Sequence, residues 1–124
     1  MKKILVVDDE PAILFMFKHL FRKSDADVIT CEGVERAKEE IDKYNFTLVI
    51  SDIRLTCIES REGLEIFDYV RKLSPETAVI LMTAFGSEHE KEEAYQKGVF
   101  HYYEKPLDVH HLITKVRSLG ITIQ

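Results

Sequence analysis

Four chemically capable signals each follow an apolar run in this 124-residue chain. Asp8-Asp9 follows Ile4-Leu5-Val6-Val7, and Asp52 follows Leu48-Val49-Ile50-Ser51. Thr83 follows Val79-Ile80-Leu81-Met82, and Lys105-Pro106 follows Phe100-His101-Tyr102-Tyr103. If the runs are parallel strands of one sheet, the signals meet at its carboxyl edge, where open α/β sheets build their sites. Three carboxylates, a hydroxyl and an ammonium in one crevice point to metal-dependent phosphoryl chemistry. Unpaired carboxylates about 4 Å apart repel by roughly 4 kcal/mol at an effective dielectric of 20, so a cation or a proton must offset them. Mg²⁺ suits such a set, because it takes hard oxygen ligands and usually keeps room for water and a phosphate. Alone, Asp8-Asp9-Glu10-Pro11 reads more readily as a helix start, where acids favour the macrodipole. Asp52 at the next strand end tips the reading toward a metal site.

The elements that must position these residues alternate five times. Strands are expected at 3–7, 27–31, 47–51, 77–82 and 99–103. Between them, apolar residues recur at helical spacing: Ile13, Leu14, Phe17, Leu20 and Phe21; Val34, Ala37, Ile41 and Tyr44; Leu64, Phe67, Val70 and Leu73; and, at the end, Leu112, Ile113, Val116 and Leu119. Pro11 suits a first helical turn, Ser87 and Glu90 have capping-box spacing, Gly98 can end a helix and Asp108 can start one. Alternation with connections this short implies a parallel sheet covered on both faces. The uniformly apolar runs at 4–7, 48–50 and 78–82 belong in its centre, and the runs holding Asp27, Thr30 and His101 at its edges. That ranking agrees with a flavodoxin-like (βα)₅ three-layer sandwich of strand order 2-1-3-4-5.

Composition narrows the function. A hydrophobic share of 45% and a net charge of −5 suit an ordinary globular chain and disfavour direct nucleic-acid binding. No apolar run is long enough for a membrane helix, and no signal peptide is evident, so a cytoplasmic location is expected. Cys31 and Cys57 lack metal-ligand spacing. The residues 1–124 read as one domain, with 119–124 either a plain end or the start of a linker. Glu35, Arg36, Lys38, Glu39 and Glu40 read as a solvated helix face, and the adjacent His110 and His111 point apart on a helix.

Ile4 to Pro11 (ILVVDDEP), Val49 to Arg54 (VISDIR), Leu81 to Gly86 (LMTAFG) and Gly98 to Pro106 (GVFHYYEKP) resemble the receiver domain of two-component response regulators, of the chemotaxis-regulator kind. The resemblance runs through nearly the whole chain, with the motifs in the family's order. It implies that Asp52 is the phosphoacceptor, taking a phosphoryl group from a histidine kinase or a phosphotransfer protein. It implies Mg²⁺ held by Asp9, Asp52 and the backbone carbonyl of Arg54, with Asp8 acting through a water. Lys105 would pair with a phosphoryl oxygen, aimed by a cis bond to Pro106. Thr83 and Tyr102 would form a hydroxyl-and-ring switch toward an output face made of the fourth helix, fifth strand and fifth helix. That face would meet an effector domain or a dimer mate. The only catalysis implied is the chain's own phosphotransfer and dephosphorylation.

The fourth helix, 88–97, has Ala94 and Tyr95 as its clear apolar anchors, so it is expected to be weakly held. Arg54 and Phe85, each two residues past a site residue, stand where the family gates water access. The stretch 55–62 departs from the family pattern: it lacks the usual proline and is longer by about three residues if Gly63 is the helix-start glycine. Thr83-Ala84-Phe85-Gly86 resembles receivers attached to transcriptional activators. Two rival readings are a phosphorylation-independent interaction module, which the complete set Asp8, Asp9, Asp52, Thr83 and Lys105 opposes and the unusual loop favours, and an aspartyl-nucleophile phosphatase. The phosphatase would need a second acid where Arg54 stands.

Overall fold

The computed structural model describes residues 1–57 and 59–124. Ile58, inside the stretch expected to be a long loop, lies outside the described residues. The five strands are β1 (Lys2–Val7), β2 (Ala26–Cys31), β3 (Leu48–Asp52), β4 (Ala78–Thr83) and β5 (His101–Glu104). They alternate with α1 (Pro11–Leu20), α2 (Val34–Lys43), α3 (Glu62–Leu73), α4 (Glu88–Gln96) and α5 (Val109–Arg117). The pairings among these strands are all parallel and their order is β2-β1-β3-β4-β5, in agreement with the strand compositions.

Side-chain alternation divides the sheet between two cores. Leu5, Val7, Val49, Val79 and Leu81 face α2, α3 and α4, while Ile4, Val6, Leu48, Ile50, Ile80 and Met82 face α1 and α5. β1 and β3 are buried on both faces along their apolar stretches, which is why they show no polar alternation.

The element ends are where expectation and structure differ. β3 and β4 extend one residue further than expected, so Asp52 and Thr83 still stand in the ladder, opposite Met82 and Glu104. β5 starts two residues late, because the Val99 N–H still closes the turn after α4 by donating to the Ala94 carbonyl. Leu73, expected on the buried face of α3, is half exposed at the helix's last position. Glu40, expected in a solvated face, is buried and accepts from the Arg36 Nε at 3.0 Å.

Residues 119–124 fold back onto the body. Ile123 bridges antiparallel to Ser24, the Thr122 N–H donates to Asp25, and the Arg117 guanidinium donates to the Ile123 carbonyl. Ile121 and Ile123 join the core beneath α1 and α5. Ile121→Ala should therefore cost about 2–5 kcal/mol in urea unfolding. Phe15→Ala, at a position 71% exposed on α1, should stay within about 0.5 kcal/mol of the parent.

Candidate functional site

The sheet delivers three acids and one amine to its carboxyl edge. Asp8 and Asp9 leave β1, Asp52 ends β3 and Lys105 follows β5 through a cis Lys105–Pro106 bond. Asp8, Asp9 and Asp52 offer carboxylate oxygens within 4.8 Å of one another, with Asp8 and Asp52 buried and Asp9 exposed. Such a hard-oxygen cluster, open to solvent through Asp9, fits a divalent cation. The Lys105 Nζ reaches Asp8 Oδ2 at 2.9 Å, Asp52 Oδ2 at 3.3 Å and Glu10 Oε1 at 3.2 Å. Backbone N–H groups complete the carboxylates: Glu10 donates to Asp8 Oδ1 at 2.8 Å, and Arg54 to Asp52 Oδ1 at 3.2 Å. Burial nevertheless pushes both Asp8 and Asp52 above the usual carboxylate range, against the lowering pull of Lys105 and these N–H donors. Burial works against the Lys105 ammonium too, but its bond to Asp8 and the charges of Asp8 and Asp52 outweigh that and raise it. One ammonium therefore stands among acids it does not fully neutralise. A cleft of about 210 Å³ opens beside them, walled by Asp9, Asp52, Arg54, Cys57, Phe85 and Lys105 among others.

Two close approaches fix the walls. A Cβ on Gly63 would sit 2.1 Å from the Asp52 carbonyl oxygen and 2.5 Å from the Ile53 Cα, so α3 starts directly against the end of β3. The Gly63 N–H also donates to the Ile53 carbonyl. A Cβ on Gly86 would meet the Tyr102 hydroxyl at 2.2 Å and the Thr83 methyl at 2.9 Å, so those two side chains share the space under the β4–α4 turn. Thr83 is fully buried and its hydroxyl accepts from the Phe85 N–H at 3.1 Å. Tyr102 is already inside, 4% exposed, and its hydroxyl donates to Glu90 at 3.0 Å. Burial and then this carboxylate raise the phenol well above its ordinary value. Glu90 also pairs with the Arg54 Nη2 at 3.0 Å.

The sequence matches the response regulator receiver domain family over residues 4–117. This chain belongs to that family. The receiver is 31% identical to the transcriptional regulatory protein GlrR of Escherichia coli over 105 residues, which are 85% of this chain and 23% of that regulator. It spans less than a quarter of such curated relatives. It is also 26% identical to sporulation initiation phosphotransferase F of Bacillus subtilis, over 94% of this chain and 92% of that one. Among solved structures, response regulator TrrA of Thermotoga maritima, in complex with Mg²⁺ and beryllium fluoride, matches with a TM-score of 0.79. There the identity is 32%, over 96% of this chain and 99% of that one. A receiver is a phosphorylation-activated switch of two-component signalling, and its flavodoxin-like fold is the one found here.

Within this receiver the structure gathers Asp8, Asp9, Asp52 and Lys105 at one point and sets Thr83 and Tyr102 beneath the adjoining turn. Sequence reading missed two participants. Glu10 looked like a helix-start acid but serves Lys105. Glu90 was expected in a capping box; its N–H does bond Ser87 Oγ at 3.1 Å, but its carboxylate turns inward to Arg54 and Tyr102. No sequence signal singled it out, since Glu88, Glu92 and Glu93 share its type on the same helix. Tyr95, expected as an apolar anchor of α4, is 39% exposed, and its hydroxyl accepts from the Tyr102 N–H. In the loop of 55–62, the Glu62 carboxylate accepts from Thr56 and Ser60, and Arg61 reaches Glu93 on α4 at 2.9 Å.

A raised carboxyl binds its proton more tightly in the folded chain. It favours folding below the ordinary carboxylate range, and that contribution is lost as pH rises through its raised value. Above that value an ionised Asp52 is thus a liability in metal-free buffer. Asp52→Asn should raise Tm there, with the gap closing below about pH 4, as thermal unfolding in a chelator will read.

Proposed function

We propose that this receiver accepts a phosphoryl group on Asp52 from a phosphohistidine of a histidine kinase or phosphotransfer protein. A carboxylate oxygen of Asp52 attacks phosphorus, the O–P bond forms, the P–N bond breaks and the imidazole leaves with the electron pair and takes a proton. The observation that carries this reading is the placement of Asp52 on the cleft within bonding distance of Lys105, beside two further acids. Asp9, Asp52 and the Arg54 carbonyl would hold Mg²⁺ directly and Asp8 through a water. Bound there, the ion offsets repulsion between the acceptor and the incoming phosphoryl group.

The chain's own residues do the rest. Lys105 supplies a compact positive charge that can turn from Asp52 to a phosphoryl oxygen. Thr83 exchanges its bond to the Phe85 N–H for a charge-assisted bond to the phosphoryl group. Tyr102 reports that movement to the face formed by α4, β5 and α5, where an effector domain or a dimer mate docks. Arg54 and Phe85 stand over the cleft and limit the approach of hydrolytic water. Phosphotransfer and dephosphorylation of its own Asp52 are the whole of its catalysis. Among the described residues no helix is long and apolar enough to cross a membrane, and two free thiols fit a cytoplasmic setting.

Intact mass after incubation with acetyl phosphate tests the reading. A Mg²⁺-dependent gain of one phosphoryl group is expected, absent in Asp52→Asn; an equal gain in the variant would remove Asp52 as acceptor. Arg54→Gly and Phe85→Gly should each speed loss of the phosphoryl group by roughly twofold to tenfold. Unchanged decay in both would dismiss their gating role.

A further inference from the structure

Glu90 presents one carboxylate to two directions. The Arg54 Nη2 lies 3.0 Å from its Oε2 and 3.3 Å from its Oε1, and the Tyr102 hydroxyl lies 3.0 Å from Oε1. Both charged side chains are largely buried, 16% exposed for Arg54 and 7% for Glu90. Arg54 also donates to the Ser60 carbonyl at 3.1 Å and the Phe85 carbonyl at 2.8 Å, so one guanidinium ties together the loop after β3, the turn after β4 and α4. Yet its Nε is buried without a hydrogen-bond partner among the described residues. A planar cation with a donor to spare stands two residues from Asp52, on the wall of the same cleft.

A second arginine waits beside the acid. The Arg61 Nε is 3.5 Å from Glu90 Oε2, while its Nη2 holds Glu93 at 2.9 Å. Arg61 is half exposed, so no packed neighbours enclose its guanidinium.

We propose that Arg54 is an anion-exchange switch: it holds Glu90 in the unphosphorylated chain, turns to the phosphoryl group when Asp52 carries one, and leaves Glu90 to Arg61. The proposal rests on Asp52 being the acceptor. A phosphoryl group brings nearly two charges and three strong acceptor oxygens, a better match for a guanidinium fork than a single carboxylate. The buried carboxylate is not stranded by the exchange, because Arg61 is already at its edge. Glu90 carries the first turn of α4 and the Tyr102 hydroxyl with it, and Ala94 is the other buried residue of α4. Charge arriving at Asp52 thus reaches α4 by competition for one cation, a route separate from the movement of Thr83.

The test uses the full chain with Mg²⁺ and beryllium fluoride as the probe, and arginine side-chain ¹⁵N NMR as one readout. The Arg54 Nε signal, assigned by its absence in Arg54→Lys, should move on loading, with Arg61 moving alongside. The second readout is the half-life of the phosphoryl group by intact mass after acetyl phosphate is removed. Glu90→Gln removes the competing charge and should lengthen that half-life by roughly threefold or more, whereas Arg61→Ala binds Glu90 back to Arg54 and should shorten it. Opposite signs are not produced by simple loosening of α4. Both variants moving the half-life in one direction, or an Arg54 signal that stays fixed while signals near Asp52 shift, would overturn the exchange alone. A parent chain that takes up neither phosphoryl group nor probe would instead overturn the acceptor reading, and the exchange with it.

Discussion

The site depends on a charge imbalance held in place by burial. Lys105 is bonded to Asp8 and Asp52 inside the protein and to Glu10 at the rim. A single ammonium cannot satisfy three carboxylates, and the sheet leaves Asp8 and Asp52 too dry to be indifferent to their charge. The pocket is therefore drawn toward further positive charge and, through Lys105, toward a new anion. Both attractions come from placing ionisable groups where strands end, which a parallel sheet does without strain in its regular part.

Much of this was legible in the chain. The continuous apolar runs of β1, β3 and β4 announced central strands, and the mixed runs of β2 and β5 announced edges, because burial on both faces leaves no room for alternation. Acidic and basic residues at the ends of those runs pointed to one edge. The resemblance to a known family then supplied roles that spacing alone could not.

What stayed hidden has a common physical origin. Glu90 and Glu40 are charged residues on polar helices, and hydropathy assigns such residues to solvent. Each is buried because a specific arginine reaches it, Arg54 from another element for Glu90 and Arg36 from the preceding turn for Glu40. Pairings across the fold carry no periodic trace. The docking of Ile121 and Ile123 was hidden for a related reason: two apolar residues are too few to show a pattern, and their burial is evident only once α1 and α5 are in place.

The close seat of Gly63 on the Asp52 backbone makes the site mechanically lopsided. On that side, helix and strand backbones touch with no side chain between them, so α3 is seated directly on the end of β3. On the other side, α4 rests on a small alanine, a shared carboxylate and a half-exposed tyrosine. The two flanks of the cleft thus differ in how closely backbone meets backbone, before any partner is present.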